Sequence, residues 1–192
     1  MIPKPARATE EEPNVGGTSP ESESALVARA KQDPSAFGLL YRRHYPAIQR
    51  YLRRRLGDSA VLDDLVAETF LTAQSHLASY RERGLPFRAW LYRLATSRLH
   101  RWLRTQRWRH VLQLESEPAV EAGDDEEREI VRRALLELPA RLQTCLTLHY
   151  LEGLSVEEVA SALGCRPGTV KSRLARGREA LRRRLERAGW NP

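Results

Sequence analysis

The sequence is poor in several residue types, and each scarcity excludes a class of protein. Its 192 residues include only two cysteines, Cys145 and Cys165, which are too few for a disulfide framework or a cysteine-rich metal site. No apolar run approaches the roughly 20 residues that cross a bilayer. Residues 1–24 are rich in Pro, Glu, Ser and Gly and lack the apolar core of a signal peptide. We therefore expect a cytoplasmic protein with reduced thiols.

The signatures of catalysis are also missing. The sequence contains no Walker loop, no dinucleotide fingerprint and no HExxH motif. One pair, Cys145 and His149, has the spacing of two ligands on one helix face, but a packed cysteine and a surface or capping histidine explain it better. We therefore expect no enzyme activity, no catalytic residue, no metal and no cofactor.

Positive charge is abundant and unevenly distributed. The formal net charge is +7. Residues 25–110 carry 17 basic and 6 acidic side chains, and residues 130–192 carry 12 and 6. Between these basic blocks, residues 111–129 carry 1 basic and 8 acidic side chains. Basic blocks of this kind indicate a nucleic-acid partner before a membrane or an acidic substrate.

The last quarter of the chain has the pattern of a helix-turn-helix. Ser155 followed by Glu158 predicts a capping box, and Gly164 predicts a left-handed helix end. Pro167 suits the first turn of the next helix, where its missing N–H costs nothing. Helical spacing predicts two buried stripes, formed by Val156, Val159, Ala160 and Leu163 and by Val170, Leu174, Leu181 and Leu185. Such a unit places its second helix in a DNA major groove.

Polar residues surround the start of the second helix and lie largely off its buried face. Arg and Lys can read guanine edges or hold phosphates, whereas Thr and Ser usually hold phosphates. The predicted DNA-facing set is Arg166, Thr169, Lys171, Ser172, Arg173 and Arg176. The alternative is an ordinary amphipathic helical hairpin whose arginines are solvated.

The pattern along the chain predicts an all-α fold with two small helical domains. Residues 1–24 form a disordered tail and residues 25–110 a helical domain. An acidic linker follows over 111–129, then a second helical domain over 130–187 and a short tail over 188–192. No alternation typical of strands and no internal repeat is present.

Within the first domain, breaks are expected near Asp33-Pro34 and at Gly84-Leu85-Pro86. Tyr45 to Leu56 forms an amphipathic stretch of its own. A helix from about Val61 to Ser79 is expected to be capped by Asp58 or Ser59, and a long helix begins at about Phe87. In the second domain, helices resume near Glu126, and Pro139 starts a helix that runs through Tyr150.

Several segments resemble the sigma-70 family of bacterial RNA polymerase sigma factors. Residues 63–70 read Asp-Asp-Leu-Val-Ala-Glu-Thr-Phe and resemble the acidic helix that binds core polymerase. Residues 87–95, Phe-Arg-Ala-Trp-Leu-Tyr-Arg-Leu-Ala, resemble the helix that faces the promoter −10 element. Leu138-Pro139, residues 150–155 and residues 168–174 resemble the domain that binds the −35 element. Two domains alone are similar to the extracytoplasmic-function (ECF) group, and the resemblance covers residues 25–187.

The resemblance implies a region 2-like bundle, a region 4-like helix-turn-helix domain, and a role for each predicted site. The partners would be core polymerase, through its β′ clamp helices and β flap, promoter DNA, and an anti-sigma factor. A flipped −10 base would be captured by the loop at residues 80–87. Polymerase would be bound by Asp63, Asp64, Leu65, Val66, Glu68 and Phe70. The −10 element would be bound by Tyr80, Arg81, Arg83, Phe87, Arg88, Ser97, Arg98, Arg101 and Arg104, and the −35 element by the DNA-facing set of the second helix.

Three positions depart from the family pattern. Ala67 stands where Gln is usual in the acidic motif, Ser97 where Asn is frequent, and Arg101 where Asp is common. The departures at Ser97 and Arg101 alter the base-reading face, so the family pattern does not specify which −10 sequence this protein would recognise. The acidic motif has a simpler alternative, because Asp63 and Asp64 could stabilise the helix dipole.

The acidic linker fits a protein that reads two separated DNA elements. The 17 residues from 111 to 127 span at most about 60 Å. Elements two helical turns apart lie roughly 70–80 Å from each other, a gap that the linker and two domains together bridge. The family resemblance implies that the linker passes near the RNA exit channel, and the alternative is a solvated tether.

Two other classes of protein also use a helix-turn-helix. A freestanding regulator would bind operators through the helix-turn-helix and would not need the acidic motif. A recombinase would need a nucleophilic Ser or Tyr among arginines in a mixed α/β domain, and the sequence shows no strands.

Overall fold

The computed structural model describes residues 21–57, 59–82, 86–112 and 126–190, which are helical with short connections and contain no strand. The expected all-α class is confirmed. Eight helices follow one another as α1 Glu23–Gln32, α2 Phe37–Leu56, α3 Val61–His76, α4 Phe87–Leu112, α5 Glu126–Leu136, α6 Ala140–Leu146, α7 Val156–Leu163 and α8 Pro167–Arg187. In these described ranges, no helix is both long and apolar enough to cross a bilayer.

Helices α1 to α4 form the first domain around one apolar core. Leu40, Ile48, Leu52 and Leu91 are completely or almost completely buried there, as helical spacing of apolar residues requires. One polar pair is also buried, since the Tyr51 hydroxyl lies 2.8 Å from the Thr96 hydroxyl. This pairing satisfies two polar groups that would otherwise be costly to bury.

Helix α2 is one continuous helix, whereas the sequence pattern divides it into two stretches. It runs through Pro46, which is exposed. The backbone bond that proline cannot make is therefore lost on the solvent side, where water can replace it. The predicted break before α2 is present, because the Asp33 carboxylate accepts the Ser35 N–H at 2.9 Å and caps a short 3₁₀ turn.

The start of α3 differs from the predicted cap, because Ala60 occupies the N-cap position and makes no side-chain capping bond, while Ser59 lies one residue earlier. The Ser59 hydroxyl accepts the Val61 N–H at 3.4 Å, and the Ser59 carbonyl accepts the Leu62 N–H at 2.8 Å. Asp58, the other expected cap, lies outside the described residues. The helix ends at His76, and a 3₁₀ turn over Leu77–Ser79 completes the predicted element.

The second domain consists of α5 to α8. After α6 the helix widens into a π turn over Thr147–Leu151, so the helix expected from Pro139 to Tyr150 changes its hydrogen-bonding pattern part-way. Helix α8 crosses α6 very closely at Gly177, because a Cβ atom there would lie 3.1 Å from the Leu146 side chain. Glycine thus sets the distance between these helices.

The predicted acidic linker is shorter than its bounds of 111–129. Helix α4 extends to Leu112 and α5 begins at Glu126, so both ends of the predicted linker are helical. The intervening residues 113–125 lie outside the described residues.

Candidate nucleic-acid interface

The helix-turn-helix of the second domain has the predicted local geometry. The Ser155 hydroxyl accepts the Glu158 N–H at 3.1 Å, and the Glu158 carboxylate accepts the Ser155 N–H at 2.7 Å. This reciprocal pair is a capping box. Gly164 has a φ of 61° in the left-handed region and ends α7. Pro167 is the first residue of α8.

Helix α8 buries one face and leaves the other basic. Val170, Leu174 and Leu185 are buried, and Leu181 is partly buried. The six predicted DNA-facing residues all lie outside the core: Arg166, Lys171, Ser172 and Arg176 are exposed, whereas Thr169 and Arg173 are half-buried. A buried stripe opposite a basic face is what groove binding by this helix requires.

Helix α4 carries a second basic surface, in the first domain. Arg88, Ser97, Arg101 and Arg104 are exposed along it. Arg98 is half-buried and is held by the Glu68 carboxylate, 3.2 Å from its Nη1 atom. These predicted DNA-facing residues therefore lie on one long helix, at the spacing that the sequence indicates.

Two aromatic residues of the predicted −10 set belong instead to the core. Tyr80 is 7% exposed and Phe87 is 1% exposed. Their rings meet edge to face with centroids 5.5 Å apart, and Tyr80 also packs on Trp90. Burial raises the pKa of Tyr80 to about 12, so its hydroxyl stays protonated. Neither ring is available to stack on a base in this arrangement, contrary to the expectation for both.

The loop after α3 is held in place by basic side chains that donate hydrogen bonds to backbone carbonyls. The exposed Arg81 donates to the Ala78 carbonyl at 2.8 Å, and Lys31 Nζ donates to the Tyr80 carbonyl at 2.7 Å. Arg83 lies outside the described residues. Beside the loop is a cavity of about 390 Å³, whose lining includes Thr72, His76, Tyr80, Arg81, Trp90 and Arg93.

The acidic motif separates into an exposed and a buried set. Asp63, Asp64 and Glu68 are exposed on α3. Leu65, Val66 and Phe70, which were expected to help bind polymerase, are 5%, 2% and 3% exposed and pack inside the first domain. Their burial positions the helix and leaves them almost no accessible surface for a partner.

Sequence reasoning missed an apolar residue on this surface. Leu71 is 65% exposed on α3. It follows Asp64 and Glu68 at spacings of seven and three, which place all three residues on one helix face. That spacing is the signal that could have identified it.

The two domains contact each other directly through α4 and α7. Arg88 donates two hydrogen bonds to the Glu158 carboxylate, at 2.8 and 2.9 Å. Glu152, which precedes α7, accepts from Arg54 at 2.5 Å and from the Tyr92 hydroxyl at 2.9 Å. Burial raises the pKa of Tyr92, and the neighbouring Glu152 carboxylate raises it further.

A third polar contact between the domains is buried. Arg55 of α2 donates to the Thr144 hydroxyl of α6 at 2.8 Å. His100 Nε2 lies 3.3 Å from the same hydroxyl. Burial lowers the pKa of His100, and the positive charge of Arg55 lowers it further. Burial also lowers the pKa of Arg55.

Next to this contact is a cleft of about 470 Å³ between the domains. Arg93 and Ser97 of α4 line one side, and Arg141 and Arg173 of the second domain line the other. Among the described residues that line the cleft, none is acidic. The cleft therefore brings together residues from both predicted DNA-facing surfaces.

The structure assigns packing roles to Cys145 and His149. Cys145 is completely buried, and burial raises the pKa of its thiol. His149 Nδ1 lies 2.7 Å from the Leu154 carbonyl. Within the described ranges, no group of three or more His, Cys, Asp or Glu side chains is placed to hold a metal ion.

Comparison with known proteins places both domains in one family. Residues 40–109 match the model of sigma-70 region 2, and residues 128–181 match that of sigma-70 region 4. The ECF RNA polymerase sigma-E factor of Haemophilus influenzae is 32% identical over 184 residues, which cover 86% of this chain and 96% of that protein. This chain belongs to the ECF sigma factors.

Other sigma factors give the same result. The sigma-E factor of Escherichia coli K12 is 33% identical over 183 residues, covering 86% of this chain and 95% of that protein. The ECF sigma factor BldN of Streptomyces coelicolor is 32% identical over 172 residues, covering 83% of this chain. The match spans only 64% of BldN.

Two solved structures resemble this sigma factor across both domains. CnrH, solved in complex with the cytosolic domain of CnrY, is 27% identical with a TM-score of 0.68, covering 86% of this chain and 98% of CnrH. RpoE of Bartonella quintana, solved in complex with the anti-sigma factor NepR, is 25% identical with a TM-score of 0.66, covering 78% of this chain and 96% of RpoE.

Proposed function

We propose that this sigma factor binds core RNA polymerase, directs it to promoters through −35 and −10 elements, and promotes opening of the DNA. The observation that carries the proposal is the combination of a basic helix-turn-helix with exposed carboxylates on α3, within the sigma family. A protein that binds only DNA gains nothing from an acidic surface inside a domain of strong positive charge. The role is non-catalytic and is exercised in the cytoplasm, with polymerase performing the chemistry.

The −35 element is the proposed target of α8. Its exposed Lys171 and Arg176 and its half-buried Arg173 can reach base edges or phosphates in the major groove. Arg166, Thr169 and Ser172 near the helix start are suited to phosphates, which fix the register of the helix on the duplex.

The −10 element is the proposed target of α4 and the loop before it. Arg101, Arg104 and Ser97 are exposed for contacts with the backbone and bases. The cavity of about 390 Å³ is large enough for one unstacked base, and Trp90 and Arg93 are among the residues that line it. Proteins that hold single strands combine such basic surfaces with aromatic walls.

Core polymerase is the proposed partner of the exposed face of α3. Asp63, Asp64 and Glu68 supply negative charge, which steers docking onto a basic surface and fixes its register. Leu71 supplies apolar area one turn beyond Glu68 on the same helix face, and an apolar anchor that becomes buried on binding adds to affinity. The β′ clamp helices are the proposed contact for α3, and the β flap for the second domain.

An anti-sigma factor is a further proposed partner. CnrH and RpoE, which resemble this chain over most of its length, were solved with CnrY and with the anti-sigma factor NepR. We infer that a protein of that class binds this sigma factor and controls when it reaches polymerase.

Run-off transcription tests the proposal directly. Purified core polymerase of the source organism and sheared genomic DNA are combined with the wild-type protein or with an Asp64→Lys, Glu68→Lys double variant. We expect discrete transcripts with the wild type and their loss with the variant. The matched control is Glu137→Lys, Glu186→Lys, which makes the same change in charge at two exposed residues of the second domain.

A freestanding regulator gives a different result. It binds DNA but yields no transcripts that depend on it, even with the cognate core enzyme. That result, or equal transcription by the wild type and the Asp64→Lys, Glu68→Lys variant, would contradict the proposal.

A further inference from the structure

We propose that the contact between α4 and α7 is an autoinhibitory latch, which keeps the two DNA-reading surfaces against each other until the domains separate. The latch consists of Glu152 and Glu158 of the second domain and the first-domain groups that bind them. The inference deepens the proposed function and rests on its assignment of α4 and α8 to DNA.

The two latch carboxylates are strongly desolvated. The Glu152 side chain is 0% exposed and the Glu158 side chain is 9% exposed. A buried carboxylate is tolerated only where cations and hydrogen-bond donors replace its water. Here Arg54 and Tyr92 bind Glu152, and Arg88 binds Glu158 through two parallel bonds. The contact between the domains is therefore specific. Removing the partners of Glu152 or the partner of Glu158 would disfavour closure.

Closure uses a group that the proposed function assigns to DNA. Arg88 is one of the −10 residues, yet in this structure its guanidinium is taken up by Glu158. A phosphate would have to displace a bidentate carboxylate to reach it. Glu158 therefore takes the place of DNA on this part of α4.

Closure also covers the cavities next to α4. Ser161 of α7 borders the cavity of about 390 Å³ that is proposed to hold a −10 base. Ala162 and Leu163 of α7 and Arg173 of α8 line the cleft of about 470 Å³ opposite Ser97. The second domain thus lies over the DNA-facing side of the first domain, with part of its own recognition helix turned into the cleft.

The distances between promoter elements make closure and promoter binding mutually exclusive. Elements two helical turns apart are separated by roughly 70 Å. In the closed arrangement α7 is hydrogen-bonded to α4, with Arg88 and Glu158 2.8 Å apart. The 13 residues from 113 to 125, between α4 and α5, can extend to about 45 Å, which together with the widths of the two domains permits the required separation once the latch opens.

Small-angle X-ray scattering of the full chain tests the latch without DNA or polymerase. The variant is Glu152→Gln, Glu158→Gln. Glutamine is compatible with a capping box, so α7 keeps its N-terminal cap. The control is Glu179→Gln, Glu186→Gln, which removes two carboxylates from the same domain. Those carboxylates pair only with arginines of α8 among the described residues.

We expect the wild type and the control to be equally compact. The radius of gyration of the latch variant should increase by on the order of 5 Å, because a linker of this length permits the domains to move apart. An Arg54→Gln variant removes a partner on the other side and should shift the distribution in the same direction. Circular dichroism establishes that each variant retains its helices.

Binding to a mixed-sequence duplex of about 40 base pairs provides the second measurement. A binding-competent state that is rarely populated weakens the apparent affinity in proportion, so opening the latch should tighten binding roughly tenfold relative to the charge-matched control. An extended wild type, or equal compactness and equal affinity of the latch variant and the control, would overturn the latch. Neither the scattering nor the duplex-binding measurement includes polymerase, so a negative result here can be distinguished from failure of the transcription test.

Discussion

The Glu68 carboxylate lies 3.2 Å from Arg98 Nη1 and joins the proposed polymerase face on α3 to the proposed DNA face on α4. Arg98 also donates to the Thr72 hydroxyl, one turn further along α3. The two proposed binding surfaces of the first domain are thus adjacent, and one ion pair lies on the boundary between them.

Substituting Glu68 should separate binding from stability. The pair is partly exposed, so its contribution to folding is less than about 1 kcal/mol. For Glu68→Gln we expect an almost unchanged melting temperature and weaker binding to core polymerase. Differential scanning fluorimetry and a polymerase pull-down titration measure the two quantities. Glu137→Gln is the control, and a large loss of stability with unchanged polymerase binding would make Glu68 a structural residue.

Removing arginines from α8 should weaken binding to the −35 element. We expect Arg173→Ala and Arg176→Ala each to cost about 1–3 kcal/mol if the side chain contacts a base edge. Fluorescence anisotropy with a promoter duplex from the transcription experiment measures the loss. Arg183→Ala removes an exposed arginine that pairs with Glu179 further along the same helix, and should have a much smaller effect. Unchanged binding by both test variants would contradict the assignment of α8 as the recognition helix.

Stability should depend on pH through His100. Burial and Arg55 lower its pKa in the folded protein, so the unfolded chain binds the proton more readily. The His100 contribution is therefore fully retained above the unfolded pKa of about 6.5, and is lost as pH falls from there toward the folded value. We expect urea denaturation midpoints to decline over this interval, and the decline to be smaller in His100→Gln. Parallel pH profiles for the two proteins would show that His100 does not contribute.

The close approach of α8 to α6 should appear in a double-mutant cycle. Alanine is favoured over glycine inside a helix by about 1 kcal/mol, but at Gly177 its Cβ would press on Leu146. Gly177→Ala should therefore stabilise a Leu146→Ala background more than it stabilises the wild type. Chemical denaturation of the four proteins gives the coupling energy. Additive effects of the two substitutions on the free energy of unfolding would show that the added Cβ atom is accommodated at no energetic cost.

Local features of the second domain were predictable because the sequence specifies them over a few residues. Ser155 and Glu158 lie three apart, and Gly164 and Pro167 act on their own backbone. Such signals depend little on the rest of the fold, so the capping box, the turn and the start of α8 all follow from the sequence.

Packing between distant segments could not be predicted in the same way. Tyr80 and Phe87 flank a loop, a position that suits base contacts, yet they are buried because Trp90 and α1 surround them. The Arg88–Glu158 pair joins residues 70 apart, and no periodicity in the sequence connects them. The continuity of α2 through Pro46 likewise depends on which side of the helix faces water.

The dual hydrogen bonding of Glu158 means that the proposed domain separation requires no refolding. When Arg88 leaves, the carboxylate still accepts the Ser155 N–H and still lies at the positive end of the α7 dipole. The Glu158 carboxylate therefore always keeps a hydrogen-bond donor, and water can take the positions that Arg88 vacates. In the proposed open arrangement the start of the helix-turn-helix therefore stays intact, and the second domain moves as a rigid unit that keeps its proposed DNA-binding surface.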